Sequence, residues 1–164
     1  DEARVAALKE DLFRPFAVYE EGQGHSTSRE VTDRYFLHKQ GLHRLQKIMD
    51  EYAGGYTAQY MVNEPTLKRG LELLELMKED FPKIGARDLH DLLRCWELYH
   101  RMWCGEVHIH HLLERKETRW PGYYYRGDYP ELDEQNWRVF LNSRYDPVTQ
   151  RFEFIKRPYV PLIP

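Results

Sequence analysis

The sequence predicts a mainly α chain: an antiparallel three-helix bundle of the spectrin-repeat kind, followed by a C-terminal β-hairpin and an extended tail. Three observations lead there. Apolar residues recur at intervals of three and four through three long stretches between residues 37 and 117. The breaks between those stretches are short and carry Gly or Pro, and amphipathic helices joined by short loops bury their stripes best as antiparallel neighbours. After Thr118 the apolar period falls from that of a helix to the alternation of a strand.

Element by element, Val5, Leu8 and Leu12 mark a short first helix from Ala3 to Phe13, which Pro15 is expected to end. Glu21 to Ser28 has loop chemistry, and residues 29–36 are too polar to assign beyond a short turn of helix after Ser28. Leu42, Leu45, Ile48, Met49 and Tyr52 carry the first bundle helix, stopped by Gly54-Gly55. Asn63 is the expected N-cap of the second, with Pro65 in its first turn and Leu67, Leu71, Leu74 and Met77 on one face as far as Pro82. The third runs from Gly85 to about Lys116, roughly 45 Å at 1.5 Å per residue. Pro121, Gly122, Gly127 and Pro130 then enforce an ordered loop. Trp137 to Tyr145 and Arg151 to Lys156 alternate about an Asp146-Pro147 turn, which reads as a hairpin, and Pro158, Pro161 and Pro164 extend the tail. The expected organisation is therefore a short helix and polar linker over residues 1–36, the bundle over 37–117, and the aromatic loop, hairpin and tail packed on it over 118–164.

Composition narrows the functions. The 164 residues include 24 basic and 27 acidic side chains, a net charge of −3, with 41% hydrophobic and 14% aromatic residues. That suits one folded domain and lacks the basic footprint of a nucleic-acid binder. No apolar run approaches the roughly 20 residues that span a bilayer, and no secretory leader is visible. Cys95 and Cys104 lie on opposite faces of one helix, about 13 Å apart along it, so they do not bridge within it; free thiols fit the cytoplasm. The chain starts at Asp1 without an initiator Met, as a piece of a longer polypeptide would.

Candidate chemistry is sparse. Gly22-Gln23-Gly24-His25-Ser26-Thr27 has two glycines of a dinucleotide fingerprint, but lacks the third and has no strand leading into it, so a loop is the better reading. His100, Cys104, His108 and His111 fall on one helix face at spacings of four, four and three, with His110 off the row. They either ligate a metal or line a packing seam, and the seam is favoured because structural zinc sites usually draw on more than one element. Glu97 and Arg101 are spaced to pair along a solvated face. Asp50 with Glu51 and Asp133 with Glu134 are adjacent carboxylates whose side chains diverge, which suits solubility rather than acid–base work. No catalytic, cofactor-binding or metal residue is therefore assigned. The candidate docking surface is Trp120, Tyr123, Tyr124, Tyr125 and Arg126, an aromatic and cationic cluster that serves either a partner or its own domain.

RLQKIMDEY (Arg44 to Tyr52), ARDLHDLLRCWELYHR (Ala86 to Arg101), ETRWPGYYYR (Glu117 to Arg126) and DEQNWRVFLNSRYDP (Asp133 to Pro147) together resemble the C-terminal part of the alpha subunits of dissimilatory adenylylsulfate reductases. These belong to the fumarate reductase and succinate dehydrogenase flavoprotein superfamily. Arg126-Gly127-Asp128-Tyr129-Pro130 matches the Arg-x-Asp-Tyr-Pro ending of that superfamily's helical domain. The dicarboxylate enzymes usually carry Ser-Arg-Gly-x-His ahead of it. Here Arg119 is followed by Trp120-Pro121-Gly122, Tyr124 stands in the place of the His, and the loop is two residues longer, which favours the adenylylsulfate branch.

The resemblance implies a parent flavoprotein that, with an iron–sulfur beta subunit, reduces adenylylsulfate to sulfite and AMP in the cytoplasm of a sulfate-reducing or sulfur-oxidising prokaryote. FAD and the substrate residues would lie in earlier domains and the clusters in the partner, leaving no cofactor in this chain. Its own task would be structural and, by itself, inactive: the bundle packs on the flavin domain, and the tail and hairpin help seat the beta subunit. The competing expectation is a free-standing helical protein-interaction module.

Overall fold

A computed structural model describes residues 1–23, 32–120 and 123–161. The chain is mainly helical, a bundle with a C-terminal antiparallel hairpin. In order come α1 (Glu2–Gln23), β1 (Phe36–Leu37), α2 (His38–Tyr52), β2 (Met61–Val62), α3 (Glu64–Asp80), a 3-10 turn (Phe81–Lys83), β3 (Ile84–Gly85), α4 (Leu89–Glu114), β4 (Tyr125–Arg126), α5 (Glu134–Trp137), β5 (Val139–Asp146) and β6 (Arg151–Pro158). Among the described residues no helix is long and apolar enough to cross a membrane.

The helix ends follow from their caps. Asn63 Oδ1 accepts from the Thr66 amide at 2.9 Å while Thr66 Oγ1 accepts from the Asn63 amide at 3.1 Å, satisfying two donors at the start of α3 reciprocally. Asp88 Oδ1 accepts from the Asp91 amide at 2.8 Å to start α4, and Asp133 Oδ1 accepts from the Asn136 amide at 3.0 Å to start α5. After α2 the chain turns at Gly54, whose φ of +79° is left-handed and suits glycine.

The structure departs from the sequence expectation at α1, which runs on to Gln23 through residues expected to be loop, and at α5, and it adds the short strands β1 to β4. Pro15 lies inside α1 instead of ending it. Proline removes one helical hydrogen bond, and tertiary bonds brace the helix there: the Trp96 indole donates to the Leu12 carbonyl at 3.0 Å, and the Ala86 amide donates to the Pro15 carbonyl at 2.9 Å. Trp137, expected in the first hairpin strand, instead closes α5, because Asp133 caps a single helical turn just before the strand.

The chain divides into two compact units, one of Asp1–Lys47 with Leu73–Cys104 and one of Ile48–Glu72 with Gly105–Pro164. The first unit buries Leu45, Leu74, Met77, Phe81, Ile84, Cys95, Leu98 and Met102. Its α2 and α4 approach closely at Gly41, where a Cβ would collide with the Leu98 and Phe36 side chains. β1 and β3 form a short parallel pair, Phe36 opposite Ile84. In the second unit Ile48, Val62, Leu67 and Ile109 form the core, and β2 pairs in parallel with β4, Val62 opposite Arg126. The hairpin runs in register from Val139↔Pro158 to Asp146↔Arg151. It lies against the end of α4, with the His110 ring 4.6 Å from Phe152 and the His111 ring 5.2 Å from Phe154.

Candidate functional site

The aromatic loop is organised by charges that leave water. Arg126 has no solvent exposure. Its guanidinium donates two bonds to Asp128, Nε to Oδ1 at 2.8 Å and Nη2 to Oδ2 at 2.9 Å. Nη1 donates to the Leu112 carbonyl and to the Arg115 carbonyl, the latter at 2.9 Å. Those carbonyls lie at the C-terminus of α4, where helical acceptors run out of donors and the helix dipole is negative. Asp128 Oδ2 also accepts from the Glu64 amide at 2.9 Å, at the positive N-terminus of α3. One ion pair thus caps two helices, each charge at the end the dipole favours. The Arg126 bonds hold the Asp128 carboxyl below the usual carboxylate range.

Glu117 is the second hub. It has no exposure and accepts from Arg115 Nη1 at 2.6 Å, from Arg119 Nε at 2.7 Å and Nη2 at 3.0 Å, and from the Asp133 amide at 3.2 Å. Arg115 also donates to the Trp137 and Val139 carbonyls, both at 3.0 Å, which ties the loop to the root of the hairpin. Thr118 Oγ1 accepts from the Arg126 amide at 3.0 Å and donates to the Tyr129 carbonyl at 2.9 Å. The desolvation cost of the buried charges is offset because their hydrogen-bonding groups are so largely filled.

The five residues proposed as a docking surface therefore separate. Trp120 and Tyr123 project into solvent, 68% and 82% exposed, and Tyr125 is partly exposed beside them. Tyr124 turns inward, its hydroxyl enclosed beside the Arg126 guanidinium. Burial pushes that phenol up to about 12 although the Arg126 charge acts in the opposite sense, so it stays neutral at ordinary pH. Arg126 follows the second of the two expectations for the cluster, service to its own domain: every guanidinium nitrogen is committed inside the fold. Pro121 and Gly122 lie outside the described residues. A cleft of about 630 Å³, lined by Arg115, Arg119, Trp120, Tyr124, Trp137 and Tyr159 among others, opens beside the loop.

Sequence reasoning missed Glu117 and Thr118, and placed Asp128 in the loop without assigning it a role. A partial signal was present, since Glu117 has an arginine two residues away on either side, a spacing that shares one face of extended backbone.

The other candidates take ordinary places. His111 Nε2 lies 2.8 Å from Ser143 Oγ, His100 packs against Tyr99 with ring centroids 5.9 Å apart, and Cys104 is exposed. Among the described residues no group of three or more His, Cys, Asp or Glu side chains is arranged to hold a metal ion. Cys95 is buried, and desolvation pushes its thiol up to about 12. Glu97 pairs with Arg94 at 2.7 Å and more distantly with Arg101 at 4.0 Å. A buried His–Asp contact that the sequence did not disclose joins His38 Nε2 to Asp91 Oδ1 at 3.1 Å, with Arg87 Nε on the other carboxylate oxygen at 2.5 Å.

Of the glycine-rich stretch only Gly22 and Gln23 are among the described residues. Gly22 lies within α1, and a Cβ there would collide with the Tyr35 ring, so packing against that tyrosine accounts for the glycine. Residues 24–27 lie outside the described residues.

Comparison with known proteins gives one consistent picture. The model of the fumarate reductase flavoprotein C-terminal family matches residues 42–160. The adenylylsulfate reductase alpha subunit of Megalodesulfovibrio gigas is 44% identical over 157 residues, 96% of this chain and 24% of the relative, so the chain spans about a quarter of that protein's length. The solved adenylylsulfate reductase of Archaeoglobus fulgidus is 51% identical, with a TM-score of 0.95 over 100% of this chain and 26% of its own. The E. coli quinol fumarate reductase FrdA, 20% identical with a TM-score of 0.69 over 99% of this chain and 26% of its own, shares the fold.

Proposed function

Because the chain belongs to the fumarate reductase flavoprotein C-terminal family, we propose that it is the non-catalytic C-terminal helical part of an adenylylsulfate reductase alpha subunit. The parent oxidoreductase reduces adenylylsulfate to sulfite and AMP, with FAD held in its preceding portion and iron–sulfur clusters in a beta subunit, in the cytoplasm. The observation that carries this reading is the contrast in identity: 44% and 51% to adenylylsulfate reductases, against 20% to a fumarate reductase of the same fold. The loop departures between Arg119 and Arg126 support the same branch.

In this reading the chain contributes shape. The described residues form no dinucleotide cradle, so no step of flavin chemistry is assigned to them. The Arg126–Asp128 pair and the Glu117 hub hold the loop rigid, and Trp120 and Tyr123 supply aromatic contact area for the beta subunit.

The test uses the natural polypeptide from its source genome. It should copurify with stoichiometric yellow flavin and reduce adenylylsulfate from a dye donor, while the 164-residue chain does neither. Flavin bound stoichiometrically by the short chain, or an open reading frame with no flavin-bearing portion ahead of Asp1, would end this reading.

A further inference from the structure

α1 is built in two halves of opposite character. From Arg14 to Gln23 it is partly embedded, with Pro15 and Gly22 buried. Residues 1–13 are exposed throughout, yet Val5, Leu8 and Leu12 follow the three-and-four spacing of an apolar stripe. Leu8 is 61% exposed. α4 presents Leu89 and Leu93 in the same state, 71% and 56% exposed. Leu8 and Leu12 of the one helix and Leu89, Leu93 and Trp96 of the other line a single apolar cleft of about 620 Å³ within the first unit. The Trp96–Leu12 bond ties the two helices together beside it.

Scattered exposed leucines are normal, but an apolar cleft shared by two helices marks a surface that something else covers. The helical half is also thinly held. A stretch of about three turns is marginal in water on its own, and residues 2–13 of α1 stay exposed among the described residues, with the Trp96–Leu12 bond at their end.

We infer that the cleft between the first half of α1 and the start of α4 is the seat of the preceding, flavin-bearing portion of the same polypeptide. This rests on the function proposed above. The choice of occupant follows from length: relatives that align with nearly all of this chain are about four times as long, so roughly three quarters of such a polypeptide lies outside it. A covalently joined portion meets the cleft at high effective concentration, and an apolar face without dominant charge suffices to recognise it.

Thiol labelling of the natural full-length polypeptide tests this. In a Cys104→Ser background, Leu8→Cys and Leu93→Cys variants are exposed to a soluble maleimide, native and in urea, with Val148→Cys in the exposed hairpin turn for comparison. The seat predicts labelling at positions 8 and 93 at least ~100-fold slower in the native protein than in urea. Amide exchange over residues 3–13 of the unmodified polypeptide should show matching protection. Labelling within about threefold of the urea rate, with flavin present, would overturn the seat and leave the parent assignment standing. Protection that vanishes on dilution to monomer would overturn it in favour of a second copy. A natural polypeptide without a flavin-bearing portion would remove both.

Discussion

The cleft of the first unit and the polar network of the second invert the usual partition of side chains in opposite ways. The first leaves Leu8, Leu89 and Leu93 in water; the second takes Arg126 and Glu117 out of it. The buried charges need nothing beyond the chain, because Asp128, two arginines, backbone amides and the carbonyls ending α4 already answer them. The exposed leucines have no such answer among the described residues. A buried charge is thus a problem solved internally by hydrogen bonds, whereas an exposed apolar groove is solved only by another surface.

The sharpest way to break this contrast is at Arg126. Arg126→Ala strands Asp128 and the carbonyls at the end of α4 and should destabilise the chain by about 3–5 kcal/mol in urea unfolding. A loss below about 1 kcal/mol would mean that the network is solvated after all.

Gly41→Ala asks whether the first unit exposes leucines simply because it is loosely packed. With the Leu98 and Phe36 side-chain ends against the added Cβ, the overpacking cost should outweigh the helix-propensity gain of about 1 kcal/mol and leave a net loss of up to about 1–2 kcal/mol. A gain in stability would show that the Leu98 and Phe36 side chains give way and that the first unit is slack at this crossing.

Acid probes the network more gently. The folded-state pKa of Asp128 is lowered, chiefly by its bonds from Arg126, so the unfolded chain binds more protons as pH falls. This contribution is complete above the unfolded value near ~3.9 and is lost as pH drops through the lower folded value. Stability measured from pH 6 to 2 should therefore fall less steeply in Asp128→Asn than in the parent chain. Asp91, lowered chiefly by Arg87, retains its own dependence in both and serves as the internal reference.

The smallest effect is expected at the cleft. Leu8→Ser and Leu93→Ser remove side chains already in water and should change the stability of the 164-residue chain by no more than about 0.5 kcal/mol. A loss above 2 kcal/mol from either would show that the leucine is buried within this chain.

Much of the fold was legible because its signals are local. The stripes of α2, α3 and α4, the Asn63 cap and the alternation of the hairpin are written within a few residues of the structure they produce. The candidate site was half legible: clustering Trp120 and Tyr123 found exposed aromatics, but including Arg126 treated a buried anchor as surface. Neither the burial of that guanidinium nor the use of Asp128 follows from local pattern, since the arginine's carbonyls lie at the end of α4 and the aspartate caps a helix 64 residues earlier.

By itself the sequence determined the helices, the hairpin and the family likeness, because periodicity, capping and motif are properties of neighbouring residues. Only the tertiary structure decided that α1 continues through Pro15, that Arg126 and Glu117 lie inside, and that the stripe of α1 stays uncovered for half its length. These are outcomes of which distant groups meet. Desolvation and hydrogen-bond satisfaction depend on every atom around a side chain, and a linear pattern records only those nearby in the chain.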